Sequence, residues 1–343
     1  MAAPTPERAA VSTRPQVMAA VVQDRYGPPA QVLRVAQVAV PTPGPDEVLV
    51  RVRAVGLNPA DLFLVTGRPA MLRAMTGLRR PRRGGRGQDV AGVVEAVGSA
   101  VTSVRPGDEV FGQGGMQGAS GTLAELAVVP ESGLAPKPAA LTFAEAAGLP
   151  MAGLAARQGL RVAGVGTGTR LLVNGASGGV GHLAVQLAVG LGAEVTGVCS
   201  GRNAEMVRGL GAVRVIDHEA EDFTADGEYD VILDNVLNRR LRDVRRVLAP
   251  RGVLLLNSGN GGRVLGPLPR MAQGSLASLV SRQTIRAFTS GPATRELVHL
   301  ADLANAGEIR VVVEGTYPLA DAARALERVA TGHVAGKVVV TVP

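Results

Sequence analysis

Apolar and polar positions follow one rhythm over the first third of the chain and another beyond it. From Glu47 to Leu57 the order has period two, with Val48, Val50, Val52 and Ala54 on one face, which predicts a strand. Shorter runs at Met18–Val22, Val32–Val40 and Val90–Val97 predict further strands, and the turn Val104–Gly107 feeds another through Phe111. The Tyr26-Gly27-Pro28-Pro29 turn and the rigid Pro41-Thr42-Pro43-Gly44-Pro45 connection punctuate them. Much strand and little helix imply a small, twisted, barrel-like β unit.

Near Pro138 the period changes. Thr142 and Glu145 have capping-box spacing at the start of a helix, and Ala152–Leu160 is a second helical stretch. Strands are then expected at Leu171–Val173, Val195–Cys199, Val213–Ile216, Tyr229–Leu233, Val253–Leu256 and Thr284–Phe288, with a helix at Leu241–Leu248. Beyond Pro292 come a helix, an apolar segment at Ile309–Val313, a helix at Asp321–Ala330 and a strand at Val338–Val342. There is no internal repeat.

The most informative stretch is Leu171–Asn203. An apolar run stops at Asn174-Gly175-Ala176-Ser177-Gly178-Gly179-Val180-Gly181, then helical spacing (Leu183, Val185, Leu187, Ala188, Leu191) leads through Gly192 to a second apolar run. Strand, glycine turn, helix, strand is a βαβ unit. Its A-x-G-x-x-G pattern (Ala176, Gly178, Gly181) lets the backbone approach a pyrophosphate, whose charge the free amides of the helix N-terminus stabilise. The second strand ends in Cys199-Ser200-Gly201-Arg202-Asn203, without the carboxylate that usually holds an NAD ribose. A hydroxyl and a guanidinium suit a 2′-phosphate, so NADPH is the expected cofactor, and a solvated loop arginine is the alternative role for Arg202.

Composition adds limits. A length of 343 residues accommodates two domains sharing a cleft, and a single cysteine, Cys199, excludes a disulfide framework and a cysteine-based structural zinc site. The net charge of +7 points weakly to nucleic acid: 34 of the 36 basic residues are arginine, a bias of GC-rich coding, and aromatics are 2%. No nucleic-acid or membrane partner is expected. Residues 1–16 lack a signal-peptide core and read as a disordered tail, so a cytoplasmic location is expected.

Four segments together resemble the medium-chain dehydrogenase/reductase superfamily, in its zinc-free quinone-oxidoreductase branch. They are Gly56-Leu57-Asn58-Pro59-Ala60-Asp61, Asp89-Val90-Ala91-Gly92-Val93-Val94, the Ala-Ser-Gly-Gly-Val-Gly turn, and Gly336-Lys337-Val338-Val339-Val340. The resemblance implies an α/β protein: a GroES-like β-rich catalytic domain (17–138 and 292–343) plus a doubly wound parallel-sheet Rossmann domain (139–291). Homodimers or homotetramers are usual in such a family. Its alcohol-dehydrogenase branch holds zinc with a cysteine where this chain has Asn58 and a histidine where it has Gln88. The four histidines, His182, His218, His299 and His333, lie elsewhere in the sequence, so no metal is expected.

Without a metal, the acceptor must take hydride readily, which suits quinones and α,β-unsaturated carbonyls. The resemblance places Asn58 and Phe63 at the substrate pocket. Phe63 stands where several relatives carry a tyrosine, so no general acid is assigned. For the cofactor, Ser177, Gly178, Gly179 and Val180 are expected at the pyrophosphate, and Ser200 and Arg202 at the 2′-phosphate. The resemblance adds His218 near the adenosine ribose or its phosphate, Asn238, Asn257 and Ser258 at strand ends, and Phe288 beside the nicotinamide. His182 is read as packing. The Arg-rich loop Gly67–Asp89, with seven arginines, is either a solvated loop or a basic lid for an acidic or carrier-bound acyl substrate. The readings to be weighed are a quinone or enone reductase, an enoyl reductase of a polyketide-like pathway, and a non-catalytic NADPH-binding protein.

Overall fold

The computed structural model describes residues 16–82, 84–114, 121–257, 264–266, 268–279, 281–291 and 293–343, with the side chain of Leu279 left aside. The expected tail falls almost wholly outside the described residues, as do Arg83, Ser258 and Pro292.

Strands from both parts of the chain build one sheet. Its order is Val313–Pro318, Lys337–Thr341, Glu47–Leu57, Asp89–Val97, Glu109–Gln113 and Leu134–Pro136, with Leu126–Pro130 paired to Glu47–Leu57. Lys337–Thr341 runs antiparallel to Glu47–Leu57, Val339 opposite Gly56. A two-stranded ribbon, Val17–Val22 with Arg34–Ala39, flanks it. The alternation read from Glu47 to Leu57 is real but incomplete. Leu49, on the opposite face from Val48 and Val50, is also fully buried and packs with Met18 and Ala20 of the ribbon.

The second sheet is parallel throughout. Its order is Arg214–Asp217, Glu194–Cys199, Arg170–Asn174, Tyr229–Asp234, Leu248–Leu256, Thr284–Ala287. Counted in chain order this is 3-2-1-4-5-6, the doubly wound dinucleotide arrangement, with the order reversing between Arg170–Asn174 and Tyr229–Asp234. One apolar cluster joins the two sheets, uniting Ala54, Phe111 and Val339 with Leu171, Leu183 and Leu255.

Among the elements that differ from expectation, three stand near the site or the last parallel strand. Helix Pro59–Thr66 follows directly on Asn58; Asp61, three residues in, reaches back to accept from the Asn58 amide at 2.9 Å. Helix Leu268–Leu279 precedes the last parallel strand, and its Gly274 permits close approach to Ile285. The segment expected at Ile309–Val313 pairs only from Val313 onward, because Ile309 and Val311 are buried against the helices of the parallel sheet. The Thr142–Glu145 box forms as the sequence implies, Glu145 accepting from the Thr142 amide at 2.9 Å.

Gly56 marks the tightest packing beside the first motif: a Cβ there would sit 2.1 Å from the Ala147 carbonyl oxygen in helix Phe143–Gly148. Gly56→Ala should therefore destabilise by about 1–3 kcal/mol through overpacking, read as a lower urea midpoint with an unchanged m-value.

Candidate active site

The glycine turn joins strand Arg170–Asn174 to helix Gly181–Gly190. Gly175 takes φ +78°, a conformation open to glycine, and its amide and that of Ala176 both donate to the Val198 carbonyl. A Cβ on Gly181 would sit 2.0 Å from the Gly175 carbonyl oxygen, so glycine is required where the turn closes on the helix. The tight-turn glycine is thus Gly175, while Ala176 is buried in the core. Gly178 donates to Gly175 O; the amides of Ser177, Gly179 and Val180 donate to no other group among the described residues. Those free N–H groups at a helix start fit a dinucleotide pyrophosphate.

At the end of the neighbouring strand, Ser200 and His218 meet, with Oγ and Nε2 3.1 Å apart. Arg202 is exposed one residue past Gly201 and has no partner among the described residues. Asn203, which sequence reasoning passed over, donates its amide to Ser177 Oγ at 3.1 Å and ties the two strand ends together. Asp217 brings the one carboxylate here. A Cβ on Gly201 would lie 2.4 Å from its Oδ2, while its Oδ1 accepts from the Glu219 amide.

Where the strand order reverses, amides form a ladder. Asn174 donates to Asp234 Oδ1 at 2.8 Å and to Asn238 Oδ1 at 3.1 Å; Asn257 donates to Asn235 Oδ1 at 2.7 Å, and Asn235 to the Asn174 carbonyl. Asp234 Oδ1 also accepts from the amides of Val236 and Leu237, while its buried Oδ2 has no partner among the described residues. Asn238 and Asn257 therefore share one edge of the crevice. Phe288 lies at the same edge by its backbone, donating to Leu256 O, but its ring packs over Gly159 of helix Pro150–Val162.

Below the crevice lies a buried charge network. Lys337, 2% exposed, runs past Gly148 and Gly179 and donates to Asn58 Oδ1 at 2.5 Å. Its Nζ is 3.6 Å from Asp89 Oδ2, which accepts from Asn58 Nδ2 at 2.8 Å; Asp89 Oδ1 accepts from the Met151 amide at 3.1 Å. Asn58 Nδ2 is also within reach of Gly56 O, so its whole amide is committed inside the protein and reaches the pocket only through its neighbours. Gln88 donates to Asp61 Oδ1 at 3.3 Å. Burial raises the Asp61 pKa to about 6, the Asn58 amide opposing; burial likewise pushes Asp89 upward and Lys337 downward, each opposed by the charge of the other.

The same segment holds the cofactor turn, since the Gly336 amide donates to Ser177 O at 2.7 Å. Sequence reasoning recorded Gly336-Lys337 only as a family mark. That Lys337 is one of only two lysines in an Arg-rich chain was the available signal.

Other expectations resolve into structure. Phe63 is half-buried on helix Pro59–Thr66. Tyr26 bonds Thr76 Oγ1 and donates to Gly77 O, and Arg73 stacks over its ring at 4.7 Å, so its hydroxyl is turned into the Arg-rich loop. That loop is partly built in: Arg86 is buried and donates to Gln23 Oε1, and burial lowers its pKa to about 10. Met71 donates to Val264 O, so the loop spans to the other domain's side. His182 is fully buried, with Nδ1 3.0 Å from the Gly178 carbonyl; burial lowers its pKa to about 4, leaving it neutral.

A doubly wound dinucleotide sheet set against a β-rich domain made from both ends of the chain defines a two-domain nicotinamide-dependent oxidoreductase. The comparisons agree. Residues 44–139 match the family described as alcohol dehydrogenase GroES-like domain, and residues 210–340 the one described as zinc-binding dehydrogenase. The chloroplast envelope quinone oxidoreductase homolog of Arabidopsis thaliana is 32% identical over 342 residues, covering 95% of this chain and 98% of the relative. A mitochondrial NAD(P)H oxidoreductase of Bos taurus is 34% identical over 369 residues, covering 96% and 91%. The solved quinone oxidoreductase from Coxiella burnetii superposes with TM-score 0.83 at 30% identity, covering 95% of this chain and 100% of that one. The chain belongs to the medium-chain dehydrogenase/reductase superfamily and is a quinone oxidoreductase-like NAD(P)H oxidoreductase.

The raised Asp61 pKa carries a sign. Its folded value of about 6 exceeds the unfolded carboxylate value, so the stability it contributes is present below pH ~4 and is lost as pH rises through 6. Urea unfolding of the native chain and Asp61→Asn at pH 4 and pH 7 should show the native chain losing stability relative to the variant by about 3 kcal/mol on going to pH 7. A pH-independent difference would contradict the buried, proton-holding carboxylate.

Proposed function

We propose that this oxidoreductase reduces a quinone or an α,β-unsaturated carbonyl with NADPH and without a metal ion. One observation carries the reading: the ammonium of Lys337 sits on Asn58 Oδ1, and Asn58 and Gln88 stand where the zinc branch places its ligands. Zinc is held by thiolate, imidazole or carboxylate. Here the first positions are amides, the neighbouring carboxylates are bonded to Asn58, Gln88 and Lys337, and no group of three His, Cys, Asp or Glu suited to a metal occurs among the described residues.

The nicotinamide, when bound, supplies the hydride. Everything else is positioning. The free amides of Ser177, Gly179 and Val180 hold the pyrophosphate, with Gly178 keeping the turn closed; Ser200, His218 and Arg202 receive the 2′-phosphate; Asn238 and Asn257 fix the strand ends beside the ring. Asn58 and Asp89, locked by Lys337, form a rigid polar floor, with Phe63 on the adjoining helix. An acceptor that takes hydride readily needs orientation more than Lewis-acid activation.

A second reading, an enoyl reductase for carrier-bound acyl groups, draws on one feature. Arg79, Arg80 and Arg82 are exposed on the spanning loop, near the exposed Met75 and Leu78. Turnover of acyl thioesters with none of quinones or enones would decide for it, and cofactor binding without any turnover would decide for a non-catalytic protein.

Arg202→Ala should weaken NADPH binding at least tenfold while leaving NADH nearly unchanged, measured by cofactor fluorescence; equal losses would overturn the coenzyme assignment. Dialysis against EDTA and phenanthroline should leave quinone reduction intact, and elemental analysis should find zinc far below one ion per chain.

A further inference from the structure

A cavity of about 890 Å³ opens on the outer side of the helices that back the parallel sheet, away from both the glycine turn and the buried network. It lies between helix Pro150–Val162, helix Gly181–Gly190, the end of helix Ala204–Gly209 and helix Thr294–Asn305. The volume falls in the upper range of small-molecule sites. Its lining is mixed: Val165 and Leu303 are half-buried apolar side chains, backed by the buried Leu160, Leu187 and Leu210, with polar groups beside them. At the mouth the wall runs out onto exposed Val189 and Leu191, apolar surface that an occupant would remove from water.

The polar groups at this cavity are unequal in charge. Arg157 and Arg161 share one carboxylate, Glu296, the Arg161 contact being 3.2 Å. Among the described residues Arg310 donates its guanidinium only to the Gly209 carbonyl, at 3.4 Å. Glu308 is the one acid among the lining residues. Three guanidiniums against the two carboxylates, Glu296 and Glu308, leave one positive charge in excess beside the apolar part of the lining.

We propose that this cavity binds a monoanionic amphiphile: an apolar chain seated along Val165, Val189, Leu191 and Leu303, with its carboxylate head met by the exposed guanidiniums at the cavity, Arg161 and Arg310. It is a site separate from the cofactor crevice, and the proposal is independent of which acceptor the enzyme reduces.

Titration of the full chain with 11-(dansylamino)undecanoic acid tests it. Saturable one-to-one binding should persist at saturating NADPH and saturating quinone. Arg161→Glu, at an exposed position, and Leu303→Trp, which fills the cavity, should each weaken it at least tenfold, and the matching dansyl alcohol should bind at least tenfold more weakly than the acid. Three results would overturn the proposal: no saturable binding, displacement by NADPH or quinone, or equal binding by both variants.

Discussion

The molecule turns on a single buried contact, the Lys337 ammonium held by Asn58 and Asp89 between the two sheets. A charged amine in an apolar interior is tolerated only when its protons and its charge are met, and both are met by groups from other parts of the chain. Asn58 ends one central strand of the mixed sheet, Asp89 opens its neighbour and Lys337 begins the strand on the other side. Gly336, one residue before, grips the carbonyl of Ser177. The glycine turn of the parallel sheet and the Asn58–Asp89 pair of the mixed sheet are therefore held by two consecutive residues.

This arrangement explains why the small residues fall where they do. Gly148 and Gly179 leave the channel through which the lysine stem passes, and Gly336 takes φ +76° with the position of a Cβ only 2.1 Å from the Val312 carbonyl oxygen. A side chain at any of these positions would push on the lysine or on its strand. The network is also electrically economical. The Lys337 ammonium faces Asp89 directly, and the amides of Asn58 and Gln88 supply the remaining bonds to Asp89 and Asp61.

Local chemistry was legible in the sequence; distant partnership was not. Apolar runs cut by Asn174–Gly181 identify the βαβ unit because strand, turn and helix periods sit side by side in 33 residues, Leu171–Asn203. Ser200 could be named because it follows a recognisable strand and His218 because the family resemblance points to it, although their 3.1 Å contact could not. Helix Pro59–Thr66 was hidden by its brevity, even though Asn58 and Asp61 carry the spacing of a helix start. Helix Leu268–Leu279 was masked by Pro269, Gly274 and its serines. Lys337 escaped as an actor because its bond to Asn58 spans 279 residues, and no periodicity reports such a closure. The Arg-rich loop misled in part: Arg86 looks like solvent-facing charge by composition but is buried against Gln23.

The order of synthesis makes strand Lys337–Thr341 a late arrival. Glu47–Leu57, Asp89–Val97 and the entire parallel sheet leave the ribosome before it exists, so the end of Glu47–Leu57 from Ala54 onward waits unpaired on one side and Asp89 waits without its cation. Such an open edge is a template for pairing with other chains. Until Lys337–Thr341 is made, a nascent chain of this topology keeps that edge open, and a chain lacking this strand would keep it open permanently.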